Sequence, residues 1–109
     1  MIHLEPRDRL LVERILALCA PGLEVRAFGS RVHGRHLKPF SDLDLAVVAP
    51  QGLAVEELLE LKRAFRDSDL PFRVDVIDYS QATGGFRAEI DRAFEILQAA
   101  APALAAHRP

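Results

Sequence analysis

Apolar and polar positions change period several times along the chain. Over residues 6–20, PRDRLLVERILALCA, Leu11, Ile15, Leu18 and Cys19 recur at three- and four-residue spacing, which predicts one apolar stripe on a helix. Pro6 suits its first turn, where a missing N–H costs little, and Pro21–Gly22 stops it. Residues 23–28, LEVRAF, alternate as a short strand running into Gly29–Ser30, and LDLAVV, residues 43–48, is a second strand closed by Pro50–Gly52. Helical spacing returns over residues 54–66, with Val55, Leu58, Leu59, Lys62 and Phe65 on or near one face. FRVDVIDY, residues 72–79, alternates as a third strand, Phe72, Val74 and Val76 facing one way and Asp75 and Ile77 the other. After Gly84–Gly85, Phe86, Ile90, Phe94 and Leu97 repeat at helical spacing and predict a last helix. The alanine-rich end, residues 99–109, reads as a frayed helix end or a disordered terminus.

This order predicts an α/β (α+β) fold: one domain over residues 1–98, built as a sheet covered by helices. A chain of 109 residues holds one core without a generous buried area, so an oligomer or a partner protein is expected. The net charge of −2 is no footprint for a nucleic-acid coat protein or a polybasic membrane anchor. Arg31, His33, Arg35, His36 and Lys38 nevertheless form a local positive cluster, which suits a small anionic ligand. One cysteine, Cys19, excludes an internal disulfide, favours a reducing compartment and reads as a buried thiol. The N-terminus lacks a signal-peptide pattern, and no apolar run approaches the ~20 residues of a membrane span. The expectation is a soluble, cytoplasmic protein that binds neither membrane nor nucleic acid directly.

The second strand carries the candidate chemistry. Residues two apart on a strand share a face, so Asp42 and Asp44 point together while Leu43, Leu45 and Val47 enter the opposite layer. Two carboxylates this close repel unless they are protonated, hydrogen-bonded or neutralised by a cation. Oxygen ligands suit Mg²⁺, which takes one or two carboxylates together with phosphates and water. Asp75 is a third carboxylate, and if the strands are neighbours the three could converge on a two-metal site. Gly29 allows backbone to approach a ligand, and Ser30 supplies a hydroxyl and could cap a short helix. Each piece alone has an ordinary use: Asp42 could end a turn, Asp75 could sit half-exposed beside Arg73, and Asp78 could be a solvated strand end. The ordered combination is what points to in-line displacement at phosphorus.

Gly29–Ser30, eleven intervening residues and Asp42–Leu43–Asp44 resemble the signature of the DNA polymerase beta-like nucleotidyltransferase superfamily. The string GSRVHG…SDLDLAVV is similar to the minimal nucleotidyltransferases, the MNT antitoxins paired with HEPN-domain toxins. The likeness continues through SDLPFRVDVIDYS and FRAEIDRAFEIL and so covers most of the chain. It implies a small mixed sheet covered by helices, and transfer of AMP from ATP with Mg²⁺, as two ions. It implies Asp42, Asp44 and Asp75 as catalytic metal ligands, Asp75 also as base, and Gly29, Ser30 and Arg31 as nucleotide-binding residues. Members often carry arginine or lysine where this chain has His33. The implied partner is a HEPN toxin, with a tyrosine hydroxyl as acceptor.

Two other readings compete. In one, the protein neutralises a HEPN partner by covering it, without catalysis. In the other, it is a nucleotidyltransferase acting on a small molecule. His3, His36 and His107 have no ligand spacing and are expected at the surface. Tyr79 could stack on a base, with half-buried packing as its ordinary use, and Phe86, Phe94 and Leu97 could dock a partner or simply pack the core.

Overall fold

In a computed structural model, residues 2–101 are described. The elements are α1 (Pro6–Cys19), β1 (Glu24–Phe28), α2 (Ser30–His33), β2 (Leu43–Val48), α3 (Val55–Arg66), β3 (Val74–Asp78), a 3₁₀ turn (Tyr79–Gln81), α4 (Gly84–Arg92) and β4 (Glu95–Gln98). The strands form one mixed sheet in the order β3-β2-β1-β4. β1 is antiparallel to both β2 and β4, while β2 and β3 are parallel, joined by the crossover that a parallel pair requires, here α3. No helix among the described residues is long and apolar enough to cross a membrane.

Alternation along the strands sorts their residues into two layers. Val25, Ala27, Leu43, Leu45, Val47 and Val76 form the main core with Val12 and Leu16 of α1 and Leu61 and Phe65 of α3. On the other face α4 and the 3₁₀ turn bring Ile90, Tyr79 and Ala82 onto Ala46, with Phe28, Val48 and Ile77 at the margin.

The helix faces are rotated from their expected positions. Leu18 is 82% exposed and Val55 70% exposed, while Val12, Leu16 and Leu61 are buried instead. Both helices carry neighbouring apolar columns, and the packing of α1 on α3 decides which column is tucked under. Cys19 is partly buried against the main core.

The last helix is shorter than its periodicity predicts. It ends at Arg92, Ala93 turns to extended backbone (φ −152°, ψ 98°), and residues 95–98 become β4. Leu97 thereby enters the main core, and Phe94 lies under the Arg26 guanidinium, 4.3 Å from its carbon to the ring centre. Pairing with β4 satisfies backbone groups along β1 that would otherwise form an open edge. Most of the expected tail lies outside the described residues.

Tyr79 is buried, its hydroxyl donating to Asp91 Oδ1 at 2.5 Å, with Arg26 and Arg87 over its ring. Asp78 is not a solvated strand end but is 6% exposed. Burial works against its charge, yet bonds from Leu53 N–H, the Ser80 hydroxyl and Ser80 N–H outweigh that and hold its carboxyl below the ordinary range.

Candidate active site

The parallel pairing of β2 and β3 sets Asp44 directly beside Asp75, and the antiparallel pairing of β1 and β2 sets Phe28 beside Asp44. These three positions form one row across the sheet, on the face away from Leu43 and Leu45. The row opens into a cleft of about 960 Å³, which Gly29 also lines. α4 covers the face further along at Ala46 and leaves the carboxylate end open.

Asp44 is the electrostatic focus. Its carboxyl is pushed up to about 6, first by burial and then by the charges of Asp75 and Asp42. Asp42 stands at the rim, one residue before β2, with Oδ2 3.4 Å from an Arg73 guanidinium nitrogen. Asp44 and Asp75 are thus together in the cleft, while Asp42 is turned to Arg73. Among the described residues no three histidine, cysteine or acidic side chains stand as a closed metal-ligand group.

Gly29 ends β1 with φ +80° and ψ −158°, a backbone shape that a residue with a Cβ rarely adopts. A Cβ there would also collide with the Asp44 carboxylate. Glycine therefore brings the chain against the carboxylate for two separate reasons. Gly29, rather than Ser30, is the cap of α2, and its carbonyl accepts from Val32 N–H and His33 N–H at 2.9 and 3.1 Å. Ser30 opens the helix.

Arg31 does not stand as the expected phosphate contact. It is 7% exposed, and its guanidinium donates to the carbonyls of Ser41, His3 and Pro39 at 2.8, 2.8 and 3.2 Å. Its carbon lies 4.1 Å from the centre of the Phe72 ring, outside the cleft. With its donors engaged by backbone, Arg31 ties the N-terminal arm and the loop before Asp42 to the start of the third strand region. His33 does line the cleft, its Nδ1 accepting from Arg35 N–H at 2.9 Å.

Residues 23–100 match the family described as Polymerase beta, Nucleotidyltransferase. The chain belongs to that family. A Haemophilus influenzae protein described as probable protein adenylyltransferase MntA is 37% identical over 97 residues, covering 89% of this chain and 84% of that protein. A solved toxin–antitoxin structure with AMP-PNP superposes with a TM-score of 0.67 at 25% identity, over 84% of this chain and 73% of that one. A solved complex of an MNT antitoxin with tri-AMPylated Shewanella oneidensis HEPN toxin shares the fold, with a TM-score of 0.59 at 23% identity over 85% and 71% of the two chains.

The cleft of this nucleotidyltransferase also holds residues that were not expected there. Lys62, Arg63 and Arg66 of α3, Arg73 before β3 and Arg92 of α4 line it, with Glu89, Phe86 and Leu59. The signal for the α3 group was present in the sequence. Leu59, Lys62–Arg63 and Arg66 recur at three- and four-residue spacing and so share one helix face. Lys62 is exposed to the cleft and takes no part in the apolar face assigned to it.

Proposed function

We propose that this nucleotidyltransferase is the MNT antitoxin of a HEPN–MNT pair, moving AMP from ATP to a tyrosine hydroxyl of its HEPN-domain toxin in the cytoplasm. The observation that carries the reading is the placement of Asp44 and Asp75 side by side, against Gly29, in one open cleft. The relationship to a probable protein adenylyltransferase supports the reaction class, and the AMP-PNP complex supports ATP as donor.

Mg²⁺ suits the residues present. The donors are all carboxylate oxygens, and a cation would relieve the repulsion that lifts the Asp44 carboxyl to about 6. Asp42, Asp44 and Asp75 would hold it, as two ions. Asp42 is free to join because its contact with Arg73 is exposed and such pairs are worth little. When bound, Mg²⁺ offsets the carboxylate charge and polarises the phosphate oxygens.

The chain's own residues do the rest. Gly29 lets the triphosphate approach the backbone, and the Ser30 hydroxyl is a further donor to it. Asp75, on the β3 side, takes the proton of the acceptor hydroxyl as its oxygen bonds to the α-phosphorus and pyrophosphate leaves. Arg35 adds positive charge to the cleft that Gly29 lines.

The test uses α-³²P-labelled ATP, Mg²⁺ and the HEPN partner, with Asp42→Ala/Asp44→Ala as control. Label on the partner from the α- but not the γ-phosphate, lost in the control, is the expected result. No label, together with partner binding that survives the double substitution, would replace catalysis by occlusion.

A further inference from the structure

Asp42 differs from the other two carboxylates in how its backbone is held. Asp44 and Asp75 lie within strands, fixed by the pairing of β2 with β3. Asp42 precedes β2, at the end of the connection from α2. On one side of it, Leu43 N–H donates to the Arg73 carbonyl at 2.9 Å. On the other, the Ser41 carbonyl, which belongs to the peptide bond leading into Asp42, accepts from Arg31 Nε at 2.8 Å. The turn before it is closed by Ser41 N–H on the Lys38 carbonyl at 3.1 Å and by Lys38 N–H on the Ser41 hydroxyl at 2.8 Å. Arg31 also takes the Pro39 carbonyl inside that turn, at 3.2 Å. The backbone at Asp42 is thus pinned, while its carboxylate is 41% exposed and has only a weak contact with Arg73.

Arg31 is itself firmly seated. Its own carbonyl accepts from His3 N–H at 2.6 Å, and its guanidinium donates to the His3 carbonyl at 2.8 Å, so the N-terminal arm clasps it twice. The Phe72 ring lies 4.1 Å away. Burial works against the guanidinium charge, opposed by the charges of Asp8 and Asp42. Arg31 stands in α2, whose cap Gly29 lies against the Asp44 carboxylate. One planar fork therefore joins the turn at Asp44 to the loop that carries Asp42. Since Arg31 lies outside the cleft, its effect on the site runs through backbone.

We propose that Arg31 is a positioning residue for the cation. By fixing the Ser41–Asp42 peptide to α2, it holds Asp42 where its carboxylate, released from Arg73, shares a divalent ion with Asp44 and Asp75. This rests on the reading of the three aspartates as Mg²⁺ ligands, and it replaces the phosphate contact expected of Arg31 by an action on the metal. Hydrogen bonds that orient metal ligands from behind set metal affinity, and losing one costs on the order of 10–100-fold.

The test is Mn²⁺ binding without nucleotide, followed by the electron paramagnetic resonance of the free ion. Wild type, Arg31→Lys, Asp42→Ala and the double variant are compared, with urea midpoints to show that each is folded. Lysine keeps the charge but lacks the planar fork that spans the carbonyls of Ser41, His3 and Pro39. We expect Arg31→Lys to weaken Mn²⁺ binding on the order of tenfold in the wild-type background. In the Asp42→Ala background it should add almost nothing, because the ligand it positions is gone. AMP-PNP affinity at saturating Mg²⁺ should stay within about twofold of wild type, as for a group that touches no phosphate. If Arg31→Lys does not fold, Phe72→Leu carries the same comparison, with a loss of about threefold expected, the scale of a cation–π contact. An equal loss in both backgrounds would mean that Arg31 acts on the fold at large, and would overturn the proposal. Unchanged Mn²⁺ binding with weakened AMP-PNP binding would overturn it too, and return Arg31 to the phosphates. If Asp42→Ala itself leaves Mn²⁺ binding unchanged, the reading of Asp42 as a ligand falls, and the proposal falls with it.

Discussion

The two faces of the sheet are made by alternate residues of the same strands, yet they meet opposite demands. Leu43, Leu45 and Val47 are each 0% exposed and join α1 and α3 in a continuous core. Between them stands Asp44, whose neighbours across the sheet are Asp75 and Phe28, beneath an open cleft. Burying a large aliphatic side chain contributes roughly 1.5–3 kcal/mol. Several such residues on one face can outweigh one carboxyl that is held unfavourably on the other. The core face makes it affordable for the cleft face to keep like charges together, a state useful for binding cations and poor for stability.

The largest separation of the faces should appear in Asp44→Asn. Removing this carboxylate should slow AMP transfer on the order of a thousandfold, the scale of several kcal/mol of lost charge stabilisation, with the fold retained. Initial rates of label incorporation measure it, and a rate within tenfold of wild type would move the chemistry off this face. Leu45→Ala, one residue along, should do the reverse. It should lower unfolding free energy by about 2–5 kcal/mol in urea titrations, with transfer by the folded protein close to wild type. If both substitutions gave the same mixture of losses, the division of labour between the faces would be wrong.

The legible parts of this molecule were those governed by local period. The strand at residues 43–48 is where its pattern put it, and alternation set Asp44 and Asp75 opposite the core residues of their strands. The parallel pairing of β2 with β3 is what brings the two side by side. What depended on distant contacts was not legible. EILQ, residues 95–98, is too short to show a period of its own, and Phe94 and Leu97 happened to extend the helical spacing from Phe86. The open flank of β1 made it a strand. Arg31 looked like a phosphate ligand because of its place after Gly29–Ser30, and nothing local reveals the three carbonyls and the Phe72 ring that engage it. The basic face of α3 was visible as spacing, but only the position of β3 as edge strand turns it toward the carboxylates.

Gly29→Ala probes the contact between turn and carboxylate. The positive φ should cost about 1–3 kcal/mol by itself, and the new methyl would press on the Asp44 carboxyl. Combining it with Asp44→Ala should recover part of that cost, since the colliding atoms are gone and only the backbone strain persists. Urea midpoints of the two single variants and the double variant would show the effects to be non-additive. Strict additivity would mean that the carboxylate moves aside freely, and that Gly29 is needed only for its backbone shape.

The smallest effect is the pH dependence of stability that Asp44 imposes. Its folded value of about 6 lies above the 3.8 of an unperturbed aspartate, with burial as the main cause and Asp75 and Asp42 adding to it. The folded state therefore holds the Asp44 proton more tightly than the unfolded chain does. That contribution is fully present below the unfolded value and is lost as pH rises through about 6. At neutral pH the ionised carboxylate is thus a net cost, about 1–2 kcal/mol once its partial exposure is allowed for. Asp44→Asn should be more stable than wild type by that amount at pH 7, and the gap should close as pH falls from about 6 to 4. Thermal melts across this range would measure it, in chelator to remove divalent cations. Adding Mg²⁺ at pH 7 should raise the wild-type melting temperature and leave the variant nearly unmoved, because the cation offsets the repulsion that the substitution has already removed. A gap that stays constant with pH would separate Asp44 from the charges of Asp75 and Asp42, and with it the reason for the cleft face to hold Asp44 and Asp75 side by side.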